Sequence, residues 1–366
     1  MTAELLSLFK GKKASQYEPF VIGWQSPSNI ALVKYWGKRE GQLPVSPSLS
    51  MTLSQSVTKT KVYVSFDQKY NGLISVNGDA QHPFMPKMKY LLDWLIQQIP
   101  ELKNITIQAE TSNSFPHSTG IASSASGLSA FALCLVSILQ RIFQTEMPDH
   151  DFRQMASFIS RMGSGSACRS VYGGFTLWGE TAANINSSDE YAFDINEKIH
   201  PELRSLRDAI LIVSSEQKSL SSSKGHQSMN KHPYLNDRIK QANNNLDQIL
   251  KALKVNDLEK LAEISENEAL SLHALMMSAD PGAILMKGAT IEIIRQVRKA
   301  RKTGLPVFFT LDAGANVHIM YPSASFLDVE NFIAEELKSC CENGQIIFDQ
   351  CGAGPVQLDE KNSIHF

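Results

Sequence analysis

A polar loop that runs directly into a long apolar segment is the feature of this 366-residue chain that most restricts its fold. Residues 104–110, NITIQAE, alternate like a strand, and residues 113–126 are rich in Ser, Gly, Pro and Thr. The next stretch, GLSAFALCLVSILQRIF, places its apolar side chains at helical spacing. A strand, a glycine-bearing loop and a helix that opens on small residues are, in this order, typical of a phosphate-binding site.

The loop itself contains residue types that suit an anion. Backbone N–H groups at a helix start have no intrahelical partner, and the helix dipole favours negative charge there. Gly120 lets the backbone approach a phosphate closely, while Ser123 and Ser124 offer hydroxyl donors or help to hold a metal ion. No Lys follows the glycine at Walker A spacing. A serine N-cap after an ordinary loop is the alternative interpretation.

A second loop, residues 163–170, has the sequence GSGSACRS. Two glycines with interleaved serines make a flexible segment rich in donors. Arg169 offers a planar guanidinium that suits a carboxylate or a phosphate. The alternative is a solvated loop with a surface arginine.

Two further segments carry charge beside apolar runs. NIALVKYWGKR begins at Asn29 and places Lys34, Lys38 and Arg39 within six residues, next to two aromatic rings. This pattern suits an anionic ligand or, equally, an amphipathic strand end with solvated lysines. TLDAGANV places Asp312 at the end of an apolar strand, where an aspartate acts as a turn former or as a carboxylate aimed at a substrate hydroxyl.

The remaining pattern predicts a mixed α+β chain. Strands are expected at 20–24, 49–54, 60–66, 73–76, 104–110, 171–178, 208–215, 306–311, 317–321 and 345–349. Helices are expected at 85–98, 151–162, 236–253, 257–277, 284–302 and 326–338, besides the apolar segment after residue 126. The predicted domains are an extension over 1–19, an N-terminal domain over 20–205 and a C-terminal domain over 206–366.

The composition argues against several classes of protein. The net charge of -2 gives no basic excess for a nucleic-acid partner. Five cysteines without a CxxC pair favour neither a zinc site nor a disulfide framework. The N-terminus does not match a signal peptide, and no stretch approaches the apolar length that a membrane span needs. We therefore expect a cytoplasmic protein without a nucleic-acid or membrane partner.

The four motifs occur in an order that resembles the mevalonate diphosphate decarboxylase family of the GHMP kinase superfamily. The matching stretches are NIALVKYWGKR, PSLSMTLS, FPHSTGIASSASG, RMGSGSACRSVYGGF and TLDAGANVHI. The resemblance implies the GHMP kinase fold, with an N-terminal domain like ribosomal protein S5 domain 2 and a C-terminal ferredoxin-like α/β sandwich. It also implies a homodimer.

The implied reaction converts mevalonate 5-diphosphate to isopentenyl diphosphate and CO2, using ATP and Mg²⁺. The 3-hydroxyl is phosphorylated first, and loss of phosphate and CO2 then forms the double bond, with ADP as the other product. A phosphomevalonate decarboxylase or a mevalonate 3-kinase on the same scaffold is the near alternative. A homoserine or galactose kinase, or a non-catalytic anion-binding protein, is more distant.

By the same resemblance, Asp312 orients or deprotonates the 3-hydroxyl, Arg169 holds the substrate carboxylate, and Lys34 supports activity beside them. The other residues implied in substrate binding are Asn29, Tyr35, Lys38, Ser164, Ser166 and Ser222. The residues implied in ATP binding are Ser118, Gly120, Ala122, Ser123 and Ser124, with Ser124 also a candidate for holding Mg²⁺ together with the ATP phosphates.

Overall fold

The computed structural model describes residues 2–12, 18–66, 72–115, 123–216 and 222–359. Within these ranges the strands are β1 (Phe20–Val33), β2 (Ser48–Ser65), β3 (Gly72–Val76), β4 (Thr106–Asn113), β5 (Phe175–Trp178), β6 (Phe193–Asp194), β7 (Arg207–Leu211), β8 (Phe308–Thr310), β9 (Val317–Tyr321), β10 (Ile346–Gln350) and β11 (Val356–Leu358). The α-helices in the same ranges are α1 (Thr2–Ser7), α2 (Met85–Gln98), α3 (Ser123–Phe143), α4 (Asp149–Gly163), α5 (Ser222–Ser228), α6 (Leu235–Val255), α7 (Leu258–Ser278), α8 (Gly288–Lys302) and α9 (Phe326–Phe332).

The described strands form two sheets. In the first sheet, β11, β1, β2, β4 and β3 lie side by side, and β5 and β6 extend it from β2. Only β3 and β4 run parallel in that sheet, among the strand pairs described. The second sheet is antiparallel and has the order β10, β7, β9, β8. The predicted α+β class is confirmed.

Helix α3 forms the centre of the larger core. It packs against β1, β2 and α4, and nearly all of its side chains are buried. Contrary to the sequence expectation, α3 has the length and mean hydropathy, 1.6, of a membrane span, although 89% of that apolar window is buried inside the protein. Because the core helix of a soluble protein passes the same test, the pattern is weak support for a membrane span.

Strands β1 and β2 are much longer than the sequence predicts. The predicted runs at 49–54 and 60–66 are parts of one strand, β2. The middle of β2 is polar, yet its hydroxyls are buried and hydrogen-bonded: Ser50 Oγ lies 2.8 Å from Thr176 Oγ1, and Thr58 Oγ1 lies 2.6 Å from Ser126 Oγ. A strand whose buried face carries hydroxyls lacks the alternation of apolar and polar residues on which the prediction depends.

A bulge interrupts the pairing of β1 with β2. Pro27 lies opposite Val57, whereas Asn29 lies opposite Thr52, so residues 53–56 face a single residue of β1. A bulge leaves amide groups without ladder partners. The carboxylate of Asp349 in β10 accepts hydrogen bonds from three of these amides, those of Ser54, Gln55 and Ser56, at 2.7, 2.8 and 2.8 Å. These hydrogen bonds therefore connect the second sheet to the first at the bulge.

The segment after β10 returns to the first sheet, which the sequence did not predict. Its backbone passes so close to two other segments that side chains are excluded. A Cβ on Gly352 would lie 2.3 Å from the Leu53 carbonyl oxygen, and one on Gly173 would lie 2.2 Å from the Ala353 carbonyl oxygen. β11 then pairs with β1.

Other differences from the predicted elements are local. Residues 165–171 form a 3-10 turn, where the sequence predicted a loop up to residue 170 and a strand from residue 171. Helix α8 begins at Gly288 rather than at 284. The predicted helix at 326–338 is α9 followed by a short π-helical turn. All five cysteines are free, whereas the sequence had indicated only that a disulfide framework is not favoured.

We predict that Asp349→Ala lowers the free energy of unfolding by roughly 2–4 kcal/mol, because three bulge amides lose a charged acceptor. Urea unfolding followed by circular dichroism measures this change. Asp237→Ala is the matched control, since Asp237 is exposed and forms only a surface ion pair with Lys240. Equal stability of the two variants would contradict the proposed role of Asp349.

Candidate active site

A buried lysine and a half-exposed aspartate meet where the two sheets approach each other. Lys34 follows β1 directly, and Asp312 follows β8. Lys34 Nζ lies 3.0 Å from Asp312 Oδ1, with 2% of the Lys34 side chain and 31% of the Asp312 side chain exposed. Burial lowers the pKa of Lys34, and the carboxylates of Asp312 and Glu268 oppose that shift. The sequence motifs around residues 34 and 312 therefore form one site.

The backbone of Lys34 is held by a buried ion pair from the helices. Glu268 of α7 accepts the Lys34 N–H at 2.8 Å, and Arg238 of α6 donates to the Lys34 carbonyl at 3.1 Å. Arg238 and Glu268 form two further hydrogen bonds with each other, of 2.7 and 2.6 Å. Both side chains are almost fully buried. Because both polar groups of the Lys34 peptide are bound, its position is fixed independently of its side chain.

The backbone of Asp312 has a comparable support. His273 Nε2 lies 3.1 Å from the Asp312 carbonyl oxygen, so that the ring N–H donates to it. His273 is buried on α7, five residues after Glu268. The structure gives it a contact that orients Asp312.

Arg169 is buried without an acid partner among the described residues. Its side chain lies in the 3-10 turn at 165–171, and Nη1 donates to Ser48 Oγ at 3.0 Å. Nε has no hydrogen-bond partner in the described part of the chain. Burial lowers the pKa of Arg169, while Cys168 and Asp312 act in the opposite sense. A buried guanidinium that lacks a paired acid is costly unless an anion binds to it.

Tyr35 and Lys38 extend the site beyond Lys34. The Tyr35 ring lies 4.6 Å from the Trp178 ring, and its hydroxyl donates to the Gln42 carbonyl at 3.2 Å. Lys38 Nζ donates to Gln42 Oε1 at 3.0 Å, and partial burial lowers its pKa. Gly165 leaves room for Tyr35, because a Cβ there would lie 2.7 Å from the phenolic oxygen.

Lys87 of α2 is a candidate binding residue that the sequence reasoning missed. Its pKa is lowered by burial and by the charge of Lys38, which places the two ammonium groups in the same electrostatic environment. No described acid pairs with Lys87, and two unneutralised cations together attract an anion. The sequence offered no signal, because Lys87 lies inside an ordinary amphipathic helix.

Asn29 and the serines of the second loop come together, but partly as supports. Asn29 Nδ2 donates to the Ser166 carbonyl at 3.2 Å and to Ser170 Oγ at 2.7 Å. Asn29 is buried, so it supports the loop from the protein interior. Ser164 Oγ and Ser166 Oγ lie 3.5 Å apart. The structure thus brings Asn29, near the end of β1, together with the loop at residues 163–170 that precedes β5.

The predicted ATP loop is described only where it enters helix α3. Ser118, Gly120 and Ala122 lie outside the described residues. Ser123 and Ser124 open α3 and are half-buried, which suits hydroxyls that meet a phosphate at the positive end of a helix of 21 residues. Ser222 opens α5, but its side chain is not among the atoms described. In the described ranges no three His, Cys, Asp or Glu side chains are grouped to hold a metal.

The fold and the site together define the class of protein. Two sheets, a helix that begins with two serines, and a lysine–aspartate pair beside an arginine without a described acid partner characterise an enzyme of the GHMP kinase fold that binds anionic substrates.

Comparison with known proteins specifies the family. Residues 26–192 match the diphosphomevalonate decarboxylase-like N-terminal domain, and residues 209–363 match the mevalonate 5-diphosphate decarboxylase C-terminal domain. The diphosphomevalonate decarboxylase of Danio rerio is 31% identical over 358 residues, which cover 92% of this chain and 84% of the relative. The chain belongs to the diphosphomevalonate decarboxylase family.

Solved structures agree with this assignment. One is the mevalonate diphosphate decarboxylase from Enterococcus faecalis, solved in work on ATP binding mediated by mevalonate diphosphate. It is 27% identical to this chain, with a TM-score of 0.77, and the match covers 93% of this chain and 100% of that one. A complex of MDDEF with MVAPP, AMPPCP and magnesium is 28% identical with a TM-score of 0.77 and the same coverage.

We predict that Glu268→Gln destabilises the protein by roughly 3–5 kcal/mol, because it leaves the Arg238 charge buried without its acid. Denaturant unfolding measures the change. The double variant Arg238→Met, Glu268→Met removes both charges and should recover a substantial part of the loss. A single variant as stable as the wild type would show that the pair does not hold this region together.

Proposed function

We propose that this chain catalyses the ATP-dependent decarboxylation of mevalonate 5-diphosphate to isopentenyl diphosphate, CO2, ADP and phosphate. The observation that carries this proposal is the buried Arg169 guanidinium, which has no acid partner among the described residues and acts electrostatically on Asp312. A substrate carboxylate would neutralise it and would be held by a planar bidentate contact.

The arrangement assigns a task to each charged group. Lys34 pairs with the Asp312 carboxylate at 3.0 Å and orients it, so that Asp312 can bind or accept the proton of the 3-hydroxyl. Arg169 holds the carboxylate that leaves as CO2, a positioning effect. Lys38, Lys87 and Tyr35, with Ser164 and Ser166, bind the diphosphate. Asn29 supports the loop that carries these serines.

ATP with Mg²⁺ supplies the phosphoryl group for the 3-hydroxyl, and its phosphates would lie against Ser123 and Ser124 at the start of α3. Ser118, Gly120, Ala122 and Ser222 complete this proposed contact set. The complex that contains MVAPP, an ATP analogue and magnesium supports such a combination for a related protein. Phosphoryl transfer needs mainly positioning and charge neutralisation, which these groups can provide.

We further propose a cytoplasmic homodimer without nucleic-acid or membrane partners, divided near residue 205 into two domains. The nearly balanced charge and the burial of α3 support the absence of those partners. The first family match ends at residue 192 and the second begins at residue 209, which supports this division. Sedimentation of the purified chain would test the dimer.

The function is tested by incubating the protein with ATP, Mg²⁺ and mevalonate 5-diphosphate while ADP and CO2 are measured together. We expect equal amounts of both products, and little reaction with mevalonate 5-phosphate. ADP without CO2 would identify a 3-kinase, and a preference for the monophosphate would identify a phosphomevalonate decarboxylase. No ADP from either substrate would refute the proposal.

In the same assay, Asp312→Asn should lower the formation of both products by roughly 10²- to 10⁴-fold, because the amide can neither accept the proton nor pair with Lys34. Asp247→Asn, at an exposed helix position, is the matched control and should keep full activity. An Asp312→Asn variant as active as this control would remove the aspartate from the mechanism.

The pH profile should report the lowered pKa of Lys34. As the pH rises, Lys34 loses its proton below the ordinary lysine value of 10.5, and Asp312 then loses its ion-pair partner. We therefore expect kcat to fall on an alkaline limb that lies below pH 10.5. Lys38 also has a lowered pKa, so the Lys38→Gln variant, which retains Lys34, should keep this limb. A limb that disappears in Lys38→Gln would assign the titration to Lys38 instead.

A further inference from the structure

A histidine that no sequence motif indicated lies beside the diphosphate region of the site. His226 is on α5, and its ring packs between two aromatic rings, 4.3 Å from that of Tyr35 and 4.8 Å from that of Trp36. Only 9% of the residue is exposed. The ring therefore has a defined place next to the segment that carries Lys38.

One hydrogen bond determines which ring nitrogen carries the proton. The Gly37 N–H donates to His226 Nδ1 at 3.1 Å. A nitrogen that accepts a hydrogen bond has no proton, so the neutral ring carries its proton on Nε2. Burial, together with the charges of Lys38 and Arg169, lowers the pKa of His226 to about 3. The ring is neutral at physiological pH and offers a single donor, Nε2–H.

No described residue accepts a hydrogen bond from this donor. The charged groups that act on the ring are Lys38, Arg169 and Asp312, the same groups that define the site. An N–H beside two cations favours an acceptor of negative charge, and an anionic oxygen of a ligand is such an acceptor.

We propose that His226 is a further substrate-binding residue, whose Nε2–H donates a hydrogen bond to an oxygen of the substrate diphosphate. The proposal rests on the function proposed above. The diphosphate is favoured over the carboxylate because His226 is anchored to Gly37, which adjoins Lys38, and its ring packs against that of Tyr35. A neutral donor also adds a contact without adding a third cation beside Lys38 and Lys87.

The direct test observes the ring nitrogens of His226 by NMR in full-length protein with ¹⁵N-labelled histidine. Inorganic diphosphate and mevalonate, which has the carboxylate but no phosphate, are added in separate titrations. We expect inorganic diphosphate to shift the Nε2 signal of His226 and mevalonate to leave it in place. A shift with mevalonate alone, or none with inorganic diphosphate at a concentration where calorimetry detects binding, would overturn the proposal.

Two substitutions separate the donor from the packing of the ring. His226→Asn keeps an acceptor for the Gly37 N–H but lacks the distal donor, and His226→Gln can place an amide N–H near the former Nε2. For His226→Asn we expect the KM for mevalonate 5-diphosphate to rise roughly 10- to 100-fold with little change in kcat, and His226→Gln to recover part of the loss.

His150→Asn is the matched control, because His150 is exposed on α4. If both His226 variants lower kcat and thermal stability alike without a selective change in KM, His226 is a packing residue and the proposal fails. If the wild type does not turn over mevalonate 5-diphosphate, the function proposed above fails, whereas the titration with inorganic diphosphate still decides the role of His226.

Discussion

The buried carboxylate of Glu268 is the group on which the arrangement of the site depends. It accepts the Lys34 amide, and it neutralises Arg238, which in turn binds the Lys34 carbonyl. Two helices of the second half of the chain therefore determine where the end of β1 lies. Since a buried charge is tolerated only when it is paired and hydrogen-bonded, the three groups restrict one another to one geometry. The ammonium of Lys34 is brought to Asp312 by this frame.

The two halves are also joined away from the site. Asp349 binds the three amides that the β1–β2 bulge leaves without ladder partners, and the last strand adds to the edge of the first sheet. The bulge lies directly before Asn29, which supports the loop carrying Ser166. A bulge re-aims the residues that follow it. The contact that holds the halves together thus also sets the direction of the segment that we propose to bind the substrate.

Much of the site was predictable because its residues occur in short, ordered motifs. Lys34, Arg169 and Asp312 were identified by charge next to glycine, serine or apolar strands, and the structure brings them within electrostatic range of one another. The long helices α6 and α7 were predicted to within a few residues, because their apolar spacing is regular. Strand β2 was predicted as two separate strands, because its buried polar face lacks the alternation of apolar and polar residues that indicates a strand. Lys87 and Glu268 gave no signal, since each lies in a helix whose pattern is accounted for by packing alone. His226 gave none because it lies in the short polar helix α5, which the sequence did not predict.

The sequence by itself determined the order of the motifs, the α+β class and the types of side chain that can bind an anion. These properties depend on local spacing, which the chain carries whatever its fold. The tertiary structure alone decided which of these side chains are paired and which are left free. Lys34 forms an ion pair with Asp312, and Arg238 forms one with Glu268, while Arg169 has no described acid partner. Pairing depends on contacts between residues that are 30 positions apart, as for Arg238 and Glu268, or 278 apart, as for Lys34 and Asp312, and on burial that no local pattern records.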